Sequence, residues 1–388
     1  YYVTRNNTSI LAFKVGTKLD NYSFNIVTSH TDSPTFKVKE NAEIEVKNKY
    51  TQLNTEGYGG MLCATWLDRP LSIAGRVLVS EGNSIVTKLL NIDRDLLMIP
   101  NVAIHMNRAA NDGFKYNLQV DMLPLLSAGD DRQKDFKQII ADELGVKKED
   151  ILGHDLYLYN RMAPSIWGAN EEFISSGHLD DLQCGFASLK ALLAGYNDES
   201  IDIMACFDNE EVGSGTKQGA DSTLLRDTLT RINSALGKTE EDYHRALASS
   251  FMLSSDNAHA VHPNHPEHTD ATNCTYMNEG VVVKSHAGQK YTSDGVSMAV
   301  VKALASGADV PLQYFANRSD KAGGSTLGNI AMAQASMNAV DIGLPQLAMH
   351  SSYETAGIKD TYYAISLMKA LFDSHIQETS THSLEIKR

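Results

Sequence analysis

Residues 201–215 have the sequence IDIMACFDNEEVGSG, an apolar run that ends at three acidic residues and a glycine-containing turn. The short apolar run 201–207, bounded by a turn signal, predicts a buried strand of an α/β sheet. Asp208, Glu210 and Glu211 would then follow the carboxyl end of that strand, where open α/β sheets bind their ligands. One of the adjacent glutamates can hold a cation while the other accepts a proton. A solvated acidic turn is the competing interpretation, because acidic residues are common on protein surfaces.

The length and charge of the chain limit the classes of function. With 388 residues the chain can form a large core and two domains. Its 34 Lys and Arg against 48 Asp and Glu give a formal net charge of −14, which disfavours binding to nucleic acid or to an anionic membrane. No apolar run has the length of a membrane span, and the visible N-terminus lacks a signal-peptide pattern. Because the chain starts at Tyr1 without a methionine, we expect a preceding segment.

The cysteines are few and scattered, at Cys63, Cys184, Cys206 and Cys274. The sequence contains no C-x-x-C pair, so it indicates neither a disulfide framework nor a thiolate zinc site. A reducing compartment fits this pattern, and we expect the protein to be cytoplasmic.

Strand-like and helix-like segments alternate over most of the chain, which predicts an α/β fold. Strands are expected at 9–15, 22–29, 201–207, 251–255, 312–315 and 339–344, and helices at 179–195, 224–236, 243–249, 294–305, 326–335 and 360–372. The strand at 339–344 and the helix at 360–372 are expected to be the last of each type. In the helix at 179–195, Leu182, Phe186, Leu189 and Leu193 form one apolar face.

The middle of the chain has a different character and predicts an inserted domain. Short β-like segments at 71–80 and 151–159 lie on either side of one helical segment at 132–144. The flanking parts are expected to form a mixed sheet with helices on both faces. The expected division is therefore residues 1–68 and 173–388 as the α/β domain, and residues 69–172 as a β-rich insert.

Five short stretches place oxygen or imidazole ligands at expected strand ends or loop edges. They are SHTD at 29–32, GHLDD at 177–181, DNEE at 208–211, SDN at 255–257 and MHSS at 349–352. Together they supply the nitrogen and oxygen ligands typical of two zinc-like ions. Two such ions roughly 3.5–4 Å apart need a bridging carboxylate, and Asp180 is the candidate.

The order and content of the motifs SHTDSP, GHLDDL, DNEEVGS, SSDNAHAVHPN and AMHSSYE resemble the aspartyl aminopeptidase family, which includes vacuolar aminopeptidase I. The match extends from His30 to Glu354, nearly the whole chain. The resemblance implies a zinc-aminopeptidase-like α/β sandwich whose inserted β-rich domain makes the dimer contact. It also implies that homodimers assemble into a tetrahedral dodecamer, and that peptides are the substrates. Family members usually carry a longer N-terminal region.

The resemblance also implies a metal ligand set. His30 and Asp256 would bind one zinc ion, Glu211 and His350 would bind the other, and Asp180 would bridge both. Two zinc ions per subunit are therefore expected, with cobalt or manganese as alternatives.

Catalytic roles follow from the same resemblance. Glu210 would be the general base, taking a proton from the attacking water and delivering one to the leaving amine. Asp32 would orient His30 by accepting a hydrogen bond from its other ring nitrogen. The peptide bond between Asp180 and the next residue is expected to be cis, as in related two-zinc enzymes.

His105 lies in the predicted insert and resembles a family histidine that reaches into the neighbouring subunit's active site. There it would stabilise the oxyanion. Without the resemblance, a histidine within an apolar run is typical of a hydrogen-bonded core residue.

A histidine tract at 259–268 suggests a third metal site, because histidine-rich tracts bind metals. Pro263 and Pro266 exclude helical i, i+4 spacing of these histidines. We therefore assign only Asp256 of this region to zinc and expect His259 and His262 to have a supporting role.

Three cations are candidates for substrate binding: Lys284, Arg318 and Lys321. Each matches a family region around the substrate, and each is equally open to interpretation as a solvated surface cation. A pairing with the substrate would favour acidic N-terminal residues, Asp or Glu, with neutral residues such as Leu as the second choice.

Two other classes of function remain open at the level of the sequence. Two-metal deacylases and carboxypeptidases of related fold recognise a carboxylate and should present an arginine in the site, which no motif here assigns. A non-catalytic assembly protein stabilised by metal is the other alternative. Glu210 argues against it, because a purely structural metal site is closed and needs no additional carboxylate.

Overall fold

A computed structural model describes residues 1–128, 135–380 and 383–387 of the chain. The chain divides into two compact units. The first unit comprises Tyr1–Ser33, Ser165–Met349 and Glu354–Arg388, and the second comprises Pro34–Pro164 and His350–Tyr353.

Strands and helices alternate along the described residues. The strands are β1 (Tyr2–Arg5), β2 (Ser9–Val15), β3 (Ser23–His30), β4 (Thr35–Val46), β5 (Tyr50–Tyr58), β6 (Leu71–Glu81), β7 (Ser84–Asn91), β8 (Leu125–Ala128), β9 (Ile151–Asn160), β10 (Ser165–Trp167), β11 (Phe173–Ser176), β12 (Ser200–Phe207), β13 (Phe251–Ser255), β14 (Ala258–His259), β15 (Val281–Lys284), β16 (Leu312–Phe315), β17 (Asn338–Gly343), β18 (Pro345–Leu347), β19 (Glu354–Gly357), β20 (His375–Ser380) and β21 (Ser383–Lys387). The α-helices are α1 (Phe136–Leu144), α2 (Leu179–Ala194), α3 (Leu224–Ala235), α4 (Glu240–Ala248), α5 (Gly295–Ala308), α6 (Leu327–Gln334) and α7 (Asp360–Phe372).

The main sheet of the first unit is mixed, as the sequence predicts. Its strand order is β1-β2-β12-β3-β13-β17-β15-β16. The neighbours β12, β3, β13 and β17 are parallel, whereas β2 is antiparallel to β12 and β15 is antiparallel to β17. Every residue of β3 and of β12 is buried, which is typical of strands covered on both faces.

Helices cover both faces of this sheet, which confirms the predicted fold class. Successive residues of a strand point to opposite faces, and Ile26 and Val27 accordingly belong to different cores. The core containing Val27 includes residues of α2, α5 and α7, and the core containing Ile26 includes residues of α3, α4 and α6. Two smaller sheets, β10-β11-β19-β18-β14 and the β20-β21 pair, complete the described part of this unit.

The second unit is built on a sheet with the strand order β7-β6-β9-β4-β5-β8. Its neighbouring strands are antiparallel, and its core includes Phe36, Trp66 and Ile140. Because β4 pairs with β9 and β5 pairs with β8, residues before position 69 take part in the same sheet. The sequence prediction assigned those residues to the first part of the α/β domain.

Several sequence predictions need correction at the level of single elements. Strand β17 is not the last strand, since β18 to β21 follow it. The helix expected at 132–144 begins at Phe136, and residues 132–134 lie outside the described residues. The expected apolar face of α2 is solvent-exposed, with Phe186 50% and Leu193 65% exposed. Small residues of α2, including Cys184 and Ala187, pack against the sheet instead.

Among the described residues, no helix combines the length and the apolar character that crossing a membrane requires.

We predict that Gly343→Ala destabilises the protein. A Cβ at Gly343 would lie 2.1 Å from the main-chain oxygen of Asp256 and 2.9 Å from Cε of Lys284. Asp256 cannot move away freely, because its main-chain N–H donates to the oxygen of Ile342 at 3.1 Å. The clash should lower the free energy of unfolding by about 1–3 kcal/mol, measured by urea denaturation.

The matched control is Gly295→Ala at the first residue of α5. A Cβ there meets no described atom within 4 Å, so this variant should keep the wild-type urea midpoint or exceed it slightly. Equal midpoints for the two variants would contradict the prediction.

Candidate metal centre

Parallel strands bring three of the sequence motifs to one edge of the main sheet. Strand β3 ends at His30, β12 ends at Phe207, and β13 ends at Ser255. The three strands are neighbours and run in the same direction. His30, the acidic loop after β12 and Asp256 therefore emerge together at the carboxyl edge, where α/β sheets place their ligands.

Four buried side chains form a cluster at this edge. His30, Asp180, Asp181 and Asp256 each offer one ligand atom, and these atoms lie within 4.8 Å of one another. Nε2 of His30 is 3.5 Å from Oδ1 of Asp180 and 4.0 Å from Oδ1 of Asp256. A buried set of one imidazole and several carboxylates is chemically suited to zinc.

Hydrogen bonds to its main-chain atoms hold Asp180 at the start of α2. Its N–H donates to Oε2 of Glu354 at 3.0 Å, and its carbonyl oxygen accepts from Oγ of Ser33 at 2.8 Å. The peptide bond between Asp180 and Asp181 is cis, which confirms the expectation from the sequence. Oδ2 of Asp181 accepts a hydrogen bond from the main-chain N–H of His30 at 3.2 Å.

The acidic loop after β12 is fixed by one carboxylate from the neighbouring strand end. Oδ1 of Asp32 accepts from the N–H of Glu210, and Oδ2 accepts from the N–H of Glu211, each at 3.1 Å. Asn209 precedes them with φ 62°, a left-handed conformation that turns the chain. His30, Glu210 and Glu211 form a second group whose ligand atoms lie within 4.8 Å of one another.

Asp32 also contacts the ring of His30. Nδ1 of His30 is 3.0 Å from the main-chain oxygen of Asp32 and 3.4 Å from Oδ1 of its carboxylate. The carbonyl is the nearer acceptor. Nδ1 is thus engaged, and Nε2 is left to face the carboxylates of the cluster.

The cluster concentrates negative charge in a buried place. Burial raises the pKa of Glu210 to about 7, with further contributions from Asp256 and Asp180. Burial likewise raises the pKa of Asp256 to about 6, although Lys284 opposes this shift. Burial lowers the pKa of His30, but the surrounding carboxylates outweigh it and raise that pKa well above its ordinary value. A bound cation would relieve this repulsion.

Two predicted site residues belong to the second unit. Nδ1 of His350 is 2.6 Å from the main-chain oxygen of Gly60, and the oxygen of His350 accepts from the N–H of Leu62 at 2.9 Å. His105 is exposed within an irregular segment, so it is not a core residue. The roles of His350 and His105 stay predictions.

The three candidate substrate-binding cations differ in position. Lys284 is only 3% exposed and donates to the main-chain oxygen of Asn257 at 2.7 Å, with its Nζ 3.9 Å from Oδ2 of Asp256. Its charge therefore acts inside the protein beside a candidate ligand. Arg318 and Lys321 instead line a cavity of about 540 Å³.

The structure adds two residues to which the sequence assigned no role. One is Glu354, which accepts from the N–H of Asp180. The other is Asn257, whose Nδ2 lies within hydrogen-bond distance of the oxygen of Leu179 and of the side-chain oxygens of Gln183 and Gln346. Both residues stand within the quoted motifs, but sequence spacing does not indicate which distant group each contacts.

Known proteins are similar to the chain over most of its length. Residues 1–372 match the family model described as aminopeptidase I zinc metalloprotease (M18). The chain is 50% identical over 369 residues to a "Probable M18 family aminopeptidase 2" of Clostridium acetobutylicum, covering 94% of this chain and 85% of that protein.

Two solved structures are similar to the chain over 96% of its length. One is a cryo-EM structure of an Ape4 and Nbr1 complex, with a TM-score of 0.92, 35% identity and 76% of that chain covered. The other is the mApe1 dodecamer of S. cerevisiae, with a TM-score of 0.81, 27% identity and 84% of that chain covered.

The raised pKa of Glu210 predicts a pH-dependent stability of the metal-stripped protein. The pKa is about 7 in the folded chain against an ordinary 4.5, so the folded state binds this proton more tightly than the unfolded state. The stabilisation is complete below about pH 4.5 and is lost as the pH rises through about 7.

Relative to Glu210→Gln, the metal-free wild type should lose about 1–3 kcal/mol of unfolding free energy between pH 5 and pH 8. Urea denaturation of both proteins in the presence of a chelator measures this difference. A difference that stays constant over this pH range would show that Glu210 titrates normally.

Proposed function

The chain belongs to the aminopeptidase I zinc metalloprotease (M18) family, and from this premise we propose that it removes acidic N-terminal residues from peptides with a two-zinc centre. Membership confirms the resemblance found in the sequence and makes the protein a zinc-dependent metallo-aminopeptidase, a hydrolase. It also decides against the deacylase, carboxypeptidase and non-catalytic alternatives. The observation that carries the two-zinc proposal is the buried ligand cluster beside Glu210.

We assign the metal ligands as follows. His30 and Asp256 would hold one zinc ion, Glu211 and His350 would hold the other, and Asp180 would be shared between them. The buried group of His30, Asp180 and Asp256 supports the first assignment, because their ligand atoms lie within 4.8 Å of one another. The assignment of His350 rests on the family motif. Cobalt or manganese can replace zinc in such nitrogen and oxygen sites.

Bound zinc supplies Lewis-acid chemistry, polarising the scissile carbonyl and lowering the pKa of water. Glu210 then serves as the proton carrier. Its carboxylate accepts a proton from the attacking water and returns one to the leaving amine. Positive charge nearby lowers the pKa of a buried carboxyl group, so metal loading keeps Glu210 ionised and able to accept the proton.

Asp32 is the positioning residue for this chemistry. Its two carboxylate oxygens hold the main chain of Glu210 and of Glu211, and its carbonyl engages His30. One short segment thereby fixes the base and a ligand of each proposed ion relative to one another. Such rigid support is what general-base catalysis requires, because the proton acceptor must lie within hydrogen-bond reach of the water.

The assembly is proposed to be a tetrahedral dodecamer of homodimers in the cytoplasm. The relative from S. cerevisiae is described as a dodecamer. In this chain, Ile104 and Met106 beside His105 are 45% and 82% exposed, which is typical of a segment that another subunit covers. His105 would then donate a hydrogen bond to the oxyanion in the neighbouring subunit's site.

The acidic preference is proposed from the charges at the cavity. Arg318 and Lys321 line it, together with polar groups that include His286 and Asn317. Arg318 is already paired with Asp320 at 2.8 Å, so Lys321 is the first choice for binding an acidic side chain. Neutral residues such as Leu are the second choice of substrate.

Glu210→Gln tests the proton-carrier assignment. The amide cannot accept the proton, so kcat/KM should fall by about 10²–10⁴-fold, measured on aminoacyl chromogenic substrates. The zinc content of the variant, measured by inductively coupled plasma mass spectrometry, should match that of the wild type. The control is Glu241→Gln on the exposed side of α4, which should keep wild-type activity. Loss of zinc from Glu210→Gln would instead identify Glu210 as a ligand.

Lys321→Ala tests the substrate preference. Removing an exposed partner of the substrate carboxylate should lower kcat/KM for aspartyl and glutamyl substrates by about threefold to fivefold and leave leucyl substrates unchanged. The control is Lys302→Ala, an exposed lysine of α5. An equal loss on acidic and leucyl substrates would argue against a role in specificity.

A further inference from the structure

A separate group of metal-ligating side chains lies away from the candidate metal centre, in the loop at 262–268. His265, Glu267 and His268 each offer one ligand atom, and these atoms lie within 4.8 Å of one another. All three side chains are exposed. None of them has a part in the proposed reaction.

The spacing of these groups resembles that of ligands on one ion. Nδ1 of His265 is 3.1 Å from Oε1 of Glu267. Two adjacent ligands bound at about 2.0–2.2 Å to one metal ion are themselves separated by roughly 3 Å. The ring of His268 stacks on that of His265 with centroids 5.4 Å apart and planes 20° apart, which brings the second imidazole to the same place.

The loop is constrained before any ion binds. Pro263 and Pro266 fix two of its backbone φ angles. The main-chain oxygen of Glu267 accepts a hydrogen bond from Nη1 of Arg318, and Oγ1 of Thr269 donates to the oxygen of Pro266 at 2.7 Å. A constrained loop loses less conformational entropy when its side chains converge on a ligand.

We propose that His265, Glu267 and His268 bind one divalent transition-metal ion of the zinc, nickel or copper class. Two imidazoles and a carboxylate suit these ions, whereas calcium and magnesium prefer oxygen ligands. Solvent completes the coordination, because the loop supplies three ligands and is exposed. His262 is not assigned as a ligand, since the group of converging ligand atoms consists of His265, Glu267 and His268.

Calorimetric titration of the zinc-loaded full chain with Ni²⁺ tests the site. The wild type should bind one more Ni²⁺ per chain than His265→Ala/His268→Ala. Glu267→Gln keeps both imidazoles and should weaken Ni²⁺ binding by about tenfold. Residues that merely hydrogen-bond a metal ligand already contribute about 10–100-fold to metal affinity, and a ligand should contribute at least as much. The control is His244→Ala, because the side chain of His244 lies on α4 and is 62% exposed. This variant should bind Ni²⁺ as the wild type does.

Exchange of Ni²⁺ at the buried centre would occur equally in all four proteins, so the difference between them isolates the loop. Equal Ni²⁺ stoichiometry and affinity in the wild type and the double variant would overturn the proposal. If the double variant fails to fold, Cu²⁺ electron paramagnetic resonance of the wild type and Glu267→Gln decides. Coupling to two imidazole nitrogens supports the site, and its absence refutes it.

Discussion

The burial of several carboxyl groups at one edge of a sheet is the constraint on which the rest of this structure depends. Ionised carboxylates repel one another and are costly to remove from water. The raised pKa values of Asp181, Glu210 and Asp256 express this cost. The protein can relieve it by binding protons or by binding cations. A catalytic metal centre uses the second route and retains one carboxylate to carry protons.

The surrounding chain holds these groups in place with main-chain contacts as well as side chains. Asp32 fixes the acidic loop through two N–H groups, and Glu354 fixes the start of α2 through the N–H of Asp180. Lys284 contributes the compensating positive charge beside Asp256. Because these supports come from different strands and helices, the centre exists only when the first unit is folded.

Much of the fold and part of the site were predictable from local patterns. The run 201–207, which became β12, was predictable because it is mostly apolar, as buried parallel strands are. The acidic residues after it were predictable because they interrupt that run abruptly. Strands such as β4 were missed, since charged residues are spread over TFKVKENAEIEV and only a third of its residues are buried. The apolar face of α2 was expected to be buried and is exposed instead. The spacing of apolar residues identifies a face of a helix but does not indicate what covers it.

The sequence by itself determined the family, the α/β class and the residue types of the candidate metal centre, because those depend on short motifs and their order. The tertiary structure decided which atoms meet. It assigned the nearer His30 contact to the carbonyl of Asp32, buried Lys284 beside Asp256, and brought Glu354 to the N–H of Asp180. These contacts join residues that are far apart in the chain or depend on which atom of a residue faces its partner. Spacing along a sequence carries no information on either, because both are set by strand pairing and packing in three dimensions.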